Sequence, residues 1–291
     1  MNRYDFIWFF DVKDANPNGD PDAGNLPRID PETGHGLVTD VCQKRKVRNY
    51  VHTTRRENIE YQIFIREREP LNPKIAEACK ETGLPDHSKV DGKWDKDKAK
   101  KRPRNEISKL QNWLCGHFYD IRTFGAVLST GPNAGQLRGP VQLSFARSVD
   151  PIVTAEHTIT RVADVDEEEG EMGRKFTVPY ALYRAHGFVN PFLATQTGFG
   201  DDDLSLLWES LINAFQFDQS AARPAGSMAT RRLLVFRHDN ELGKAPSHKL
   251  FEAVSVRRKD GVDVLRDFSH YEVSVDRTAI PEGVELLEMS E

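Results

Sequence analysis

Five consecutive apolar residues, Phe6-Ile7-Trp8-Phe9-Phe10, stand between Asp5 and Asp11 near the start of the chain. The run is far shorter than the ~20 residues that span a bilayer, and with its flanks, residues 4–12 read as a buried strand. A loop rich in asparagine, proline and glycine follows, Asn16-Pro17-Asn18-Gly19-Asp20-Pro21. Next comes a basic helix with Lys44, Arg45, Lys46 and Arg48, running on toward Arg55 and Arg56. The chain as a whole carries a formal net charge of -5. Positive charge gathered into one segment of such a chain marks a place where something negative docks.

At 291 residues the chain is long enough for one large domain, or one domain with sizeable insertions. With 38% hydrophobic and 29% charged residues it reads as a polar globular protein rather than a wholly basic nucleic-acid coat. No membrane segment and no secretory signal are expected. Three cysteines, Cys42, Cys79 and Cys115, lie far apart in sequence and suit a reducing, cytoplasmic setting.

Asp40 is placed to cap the basic helix, with Gln43 three residues on, and the helix is expected to run to about Thr53. At 100° per residue, Lys44, Arg45 and Arg48 share one arc, while Val47, Tyr50 and Val51 share the neighbouring one. Residues 59–66 alternate as a second strand would. A short helix is expected around Ile75 to Cys79. Beyond it the chain turns lysine-rich, with Lys93, Lys96, Lys98, Lys100, Lys101, Arg102 and Arg104, and reads as an inserted subregion. Apolar residues return with Trp113, Leu114, Phe118, Ile121 and Phe124. A second glycine loop, 131–140, leads into a strand at 141–146. Residues 152–162 and 175–183 read as two arms of a long hairpin whose tip, from Asp164 to Glu171, is acidic. Asp201-Asp202-Asp203 opens an amphipathic helix with Leu204, Leu207, Trp208, Leu211, Ile212 and Phe215 on its buried stripe. Strands are expected at 233–236, 250–256 and 271–275. The element order points to an α+β fold, a ferredoxin-like or RNA-recognition-motif core with long insertions.

For the basic helix, a solvated face is the plain alternative to a phosphate contact. The helix holds no acid after Asp40 to balance its cations, which favours phosphate. Each glycine loop is a weak signal alone, and neither is a P-loop. Arg138, inside the second loop, turns that loop toward RNA rather than nucleotide hydrolysis. Asp11, Asp14, Asp20 and Asp22 raise a metal-dependent nuclease, but with no companion His or Lys at motif spacing, turn chemistry is the better reading of such acids. Cys79, His87, Cys115 and His117 match no usual zinc spacing, and the scattered His157, His186, His238 and His270 match no catalytic motif. No metal or cofactor is expected. The lysine-rich stretch reads as a solvated loop, with steering of duplex DNA or a second strand as its functional alternative.

Several segments, taken in order, resemble the CRISPR-associated Cas-seven family in its Csd-type, subtype I-C branch. They are Phe10-Asp11-Val12; Asn16 to Pro21; Pro27-Arg28-Ile29-Asp30; Val38-Thr39-Asp40-Val41 with Lys44 to Arg48; and Arg122-Thr123-Phe124-Gly125. Further along come Gly135 to Gln142; Ser148-Val149-Asp150-Pro151 with His157-Thr158-Ile159-Thr160; and Phe217-Asp218-Gln219-Ser220-Ala221-Ala222-Arg223. The resemblance implies a hand-shaped RAMP fold: a palm, fingers at about 55–113 and a thumb hairpin at about 152–183. It implies a non-catalytic backbone subunit of Cascade that polymerises head-to-tail along a guide RNA. Such a subunit presents segmented bases to target DNA beside Cas-five and Cas-eight type subunits. On that reading Asn18, Lys44, Arg45, Arg48, Arg138 and Arg223 contact RNA, and His157 and Thr160 lie on the thumb. An RNA endonuclease of the same superfamily, or a scaffold that never touches nucleic acid, remain the alternatives.

Overall fold

A computed structural model describes residues 1–88, 91–160 and 172–289; the expected acidic hairpin tip lies outside them. The apolar run becomes the middle of β1 (Tyr4–Ala15). Alternate side chains of a strand point to opposite faces, and here both faces are covered. Phe6, Trp8, Phe10 and Val12 enter one hydrophobic cluster, whereas Ile7 and Phe9 enter another. Asp5 and Asp11 are buried as well. Asp5 is paired with Arg3 and His238, and Asp11 with Arg231 and the Tyr180 hydroxyl.

After β1 come two short paired strands, β2 (Gly19–Asp20) and β3 (Leu26–Pro27), then β4 (His35–Val38) and helix α1 (Asp40–Thr54). The N-cap is Thr39, whose hydroxyl accepts from Cys42 N, so the cap falls one residue before Asp40. Gln43 is not part of a capping box; it is buried and donates to Val38 O and Ser144 O. The strand expected at 59–66 does not form. The Phe64 and Ile65 amides donate to the buried Asp120 carboxylate at 2.7 and 3.1 Å, which takes them out of any ladder. What forms instead is a single helical turn at Ile59–Tyr61.

The next segment holds α2 (Leu71–Glu81), α3 (Lys96–Lys100), α4 (Arg104–His117) and α5 (Tyr119–Phe124). The hairpin β5 (Gly125–Leu128) and β6 (Gly135–Arg138) follows. A separate hydrophobic cluster ties these elements together through Phe64, Ile75, Leu110, Leu114 and Leu128. The expected strand at 141–146 splits into β7 (Val141–Leu143) and β8 (Ala146–Pro151). Both pair with the long β10 (Met172–Val189), which also pairs with β9 (Ala155–Thr160). Helices α6 (Pro191–Thr197) and α7 (Asp201–Ile212) precede β11 (Met228–His238). The chain finishes with α8 (Ser247–Glu252), β12 (Val254–Arg258), β13 (Tyr271–Val275) and β14 (Val284–Met289). The strand expected at 250–256 is therefore half helix. Leu250 is turned inward onto the sheet from α8, and pairing begins only at Val254.

The result is a mixed α/β architecture around a large antiparallel sheet ordered β14-β11-β1-β10-β8-β4, with β7 and β9 also on β10. α1 and α7 cover one face and α8 with the β12–β13 ribbon covers the other. Phe10 stacks on Tyr183 (5.4 Å, 5°), and Trp8 stacks on Phe215 while its indole N–H donates to Thr230 Oγ1 at 3.1 Å.

Gly125 and Gly139 bring two backbones into direct contact beside the end of α5. Gly125 has φ +72°, and a Cβ there would collide with Leu137 O and Gly139 N. We expect Gly125→Ala to lose roughly 1–3 kcal/mol of stability in urea denaturation. Gly116→Ala, on the exposed side of α4 with open space around it, should instead gain up to ~1 kcal/mol from helix propensity.

Candidate nucleic-acid interface

The cations of α1 fall into two classes. Lys46 and Arg48 are 1% and 8% exposed, with Lys46 Nζ paired to Asp218 and Arg48 Nε held 2.8 Å from Asp120. The helical arc placed Arg48 outward, but the carboxylate of Asp120, arriving from α5, draws it in. Lys44 and Arg45 are different. Lys44 Nζ lies 2.9 Å from Asp40, one turn earlier, and Arg45 lies 2.6 Å from Glu67 with both side chains more than half exposed. The helix lacks acids of its own after Asp40, but Asp120, Asp218, Glu67 and Glu209 reach it from other elements.

Magnitudes separate the two classes. Breaking a buried pair strands a charge and costs about 3–5 kcal/mol; an exposed pair is worth about 0–1 kcal/mol and exchanges easily. Lys46 and Arg48 are therefore struts and Arg45 is free to trade its carboxylate for another anion, while Lys44, its side chain 14% exposed beside a half-buried Asp40, stands between the two classes.

Along this face runs a groove of about 400 Å³ lined by Val41, Arg45, Arg48, His52, Ile65 and Arg66, among others. His52 is held below its ordinary pKa by burial, then by the positive charges of Arg66 and Arg56. Arg66 donates to its Nε2 at 3.1 Å. The cations lining the groove are therefore the three arginines, each already facing a carboxylate: Arg45 that of Glu67, which also lines the groove, Arg48 that of Asp120 and Arg66 that of Glu69.

The first loop meets the start of α1. Asn18 Oδ1 accepts from the Thr39 amide (3.0 Å) and hydroxyl (3.1 Å), and so orients the capping residue. The 213–223 turn lies against the same loop: Asn16 N donates to Ala222 O, and Arg223 reaches Asn16 O and Asp218. Asn18, Lys44, Arg45, Arg48 and Arg223 are thus gathered around one helix. Arg138 is exposed at the end of β6, opposite Gly125. Its link to the helix is Phe124, whose ring lies 5.7 Å from Lys44 Nζ and 5.5 Å from the Arg48 guanidinium. His157 and Thr160 stand apart on β9, both exposed, with His157 Nε2 3.0 Å from Thr177 Oγ1.

The acids of the first segment are largely committed elsewhere. Asp11 is buried against Arg231 and Tyr180, and burial raises its pKa. Asp20 caps the turn Pro21–Ala23 and pairs with Arg28. Among the described residues, no cluster of three or more His, Cys, Asp or Glu is placed to hold a metal. Among them, too, no helix is long and apolar enough to cross a membrane.

A family model described as CRISPR-associated protein Cas7 matches residues 2–276. The chain belongs to this family. A curated relative, CRISPR-associated protein Cas7 of Haloferax volcanii, is 25% identical over 228 residues, which is 73% of this chain. The chain covers 65% of that relative's length. Among solved structures, a chain of a "CRISPR RNA-guided surveillance complex, pre-nicking" superposes with a TM-score of 0.52 at 16% identity, over 81% of this chain and 78% of the other. That likeness is one of fold. The motif order quoted above therefore led to the right family.

Sequence reasoning missed the roles of Lys46, Asp120 and Asp218. One signal was available: Lys46 sits one turn from Tyr50, on the buried arc. Arg66, His52 and Ile65 were missed because an irregular segment, not a strand, carries two of them.

On the opposite sheet face a cleft of about 750 Å³ opens beside Phe145, Arg184, His186 and His248. Burial, and then Arg184, pull the His186 pKa down to about 4. Its Nε2 accepts from Arg184 Nε at 2.9 Å, and its ring stacks on Phe251 at 4.2 Å.

Two measurements test these assignments. Asp218→Asn and Asp120→Asn should each lose roughly 3–5 kcal/mol in denaturant unfolding, and Glu67→Gln no more than about 1. In acid the unfolded chain binds the His186 proton from pH 6.5 downward, whereas the folded chain binds it only near 4. This contribution to stability is intact above 6.5 and is lost as the pH falls to about 4. It should amount to about 1–2 kcal/mol, with partial exposure discounted, and His186→Gln should flatten that slope.

Proposed function

We propose that this chain is a guide-RNA-binding backbone subunit of a CRISPR RNA-guided surveillance complex, of subtype I-C, working in the cytoplasm. Copies assemble head-to-tail along the guide and grip its phosphates without reading sequence. They hold short runs of bases ready for pairing with target DNA, alongside the other Cascade subunits. Membership of the Cas7 family across residues 2–276 carries this reading; the subtype rests on the order of motifs in the sequence.

On this reading the sheet with α1 is the palm, the separate cluster around 55–113 the fingers, and the hairpin around 152–183 the thumb. Arg45 exchanges its exposed carboxylate for phosphate and Lys44 turns from the half-buried Asp40 toward it, assisted by Arg223 and Arg138. His157 and Thr160 lie along the thumb. Base pairing supplies specificity, and the protein supplies charge and a pre-ordered strand, so pairing costs less entropy. On this reading the subunit is not a nuclease; in support, Asp11 is spent on a buried pair with Arg231, and Asp20 on capping a turn and pairing with Arg28.

Lys44→Ala with Arg45→Ala should weaken single-stranded RNA binding and shallow its log–log salt slope by roughly 0.7 per lost phosphate contact. Unchanged affinity and slope would remove α1 from the RNA site. RNA cleavage that needs a divalent metal and disappears in Asp20→Ala or Asp22→Ala would favour the endonuclease instead.

A further inference from the structure

The turn between α7 and β11 holds an aromatic ring in water on a rigid mount. Phe217 is 46% exposed, yet Asp218 beside it is 8% exposed and accepts from Lys46, from Arg223 Nε at 3.0 Å and from Asn49 Nδ2 at 3.4 Å. Ser220 and Arg223 exchange two backbone hydrogen bonds, and Gln216 bonds back to Asn213 through both its amide N–H and its side chain. These bonds fix the mount, while the ring's aromatic neighbour among the described residues is Tyr50, at 5.8 Å and tilted by 45°.

Charge sets this ring apart. Two cations, Lys46 and Arg223, share the single carboxylate of Asp218, leaving one positive charge in excess at the residue next to the ring. Asn49 joins the turn to the basic groove, since it both bonds Asp218 and lines that groove. The other exposed phenylalanines sit differently. Phe188 and Phe192 border a pocket with Asp5 and Glu241, where Arg3 is already paired to Asp5. Phe145 opens onto the far side of the sheet, where Arg184 is committed to the Val254 and Phe251 carbonyls.

A lone ring among Gln216, Gln219 and Ser220 is too small an apolar patch for stable protein docking. It suits one flat, sequence-tolerant partner with a phosphate beside it. We propose that Phe217 stacks on an unpaired base of the bound RNA strand, with Asp218 as the positioning residue that holds it there. This rests on the RNA-binding reading above.

The test uses the full chain, a short single-stranded RNA of mixed sequence, and the same strand with abasic sites. Phe217→Ala should weaken binding to the intact strand by roughly 5- to 150-fold, with little change on the abasic strand. Phe217→Trp should restore binding, and its added indole emission should be quenched by the intact strand alone. Phe217→Leu, which keeps apolar bulk, should not restore binding. Equal losses on both strands would make Phe217 a structural residue and overturn the assignment. So would wild-type affinity in Phe217→Ala, including the case in which that variant instead impairs assembly without RNA and marks a protein contact. A wild-type chain that binds no RNA overturns the RNA reading itself, and the stacking with it.

Discussion

A strand buried on both faces organises this molecule. From Phe6 to Phe10 every side chain of β1 is withdrawn from water, and each such burial contributes on the order of 1.5–3 kcal/mol. Neither face can be left bare, so one receives α1 and α7 and the other α8 with the β12–β13 ribbon. The flanking acids are drawn in as well and must be paired. Arg3 and His238 serve Asp5, and Arg231 serves Asp11. Packing around β1 therefore fixes where α1 lies and which of its faces remains open.

Burial also sorts the charge on α1. Lys46 and Arg48 act as struts from the helix to Asp218 and Asp120. Asp218 steadies the 213–223 turn against the first loop, while Asp120 holds the backbone of Phe64 and Ile65 at the edge of the neighbouring cluster. The cations left at the surface thus stand on a rigid frame. A frame of this kind lowers the ordering cost of gripping a flexible polyanion.

Much of this was legible in the sequence, for identifiable reasons. The apolar run, the Asp201–Asp203 helix start and the stripe from Leu204 to Leu211 follow local patterning, and local patterning survived folding. The motif order identified the family because several short matches along the chain combine in specificity. The errors around α1 came where a distant carboxylate decided the outcome. Asp120 took the amides of Phe64 and Ile65 from an expected strand and drew Arg48 from an expected surface. Neither effect is local, so helical arcs and alternation could not reveal them. Thr39 rather than Asp40 as N-cap is a one-residue matter of side-chain geometry, settled partly by Asn18 more than twenty residues away.

The central claim is that repeated copies of this chain grip one RNA at regular intervals. The direct measurement is limited ribonuclease digestion of the protein purified together with a CRISPR transcript and the remaining Cascade subunits. The account predicts protected fragments in an evenly spaced ladder, with protein assemblies that dissociate as the RNA is destroyed. Assemblies that contain no RNA and survive ribonuclease intact would contradict it, and would make the open face of α1 a protein-docking surface.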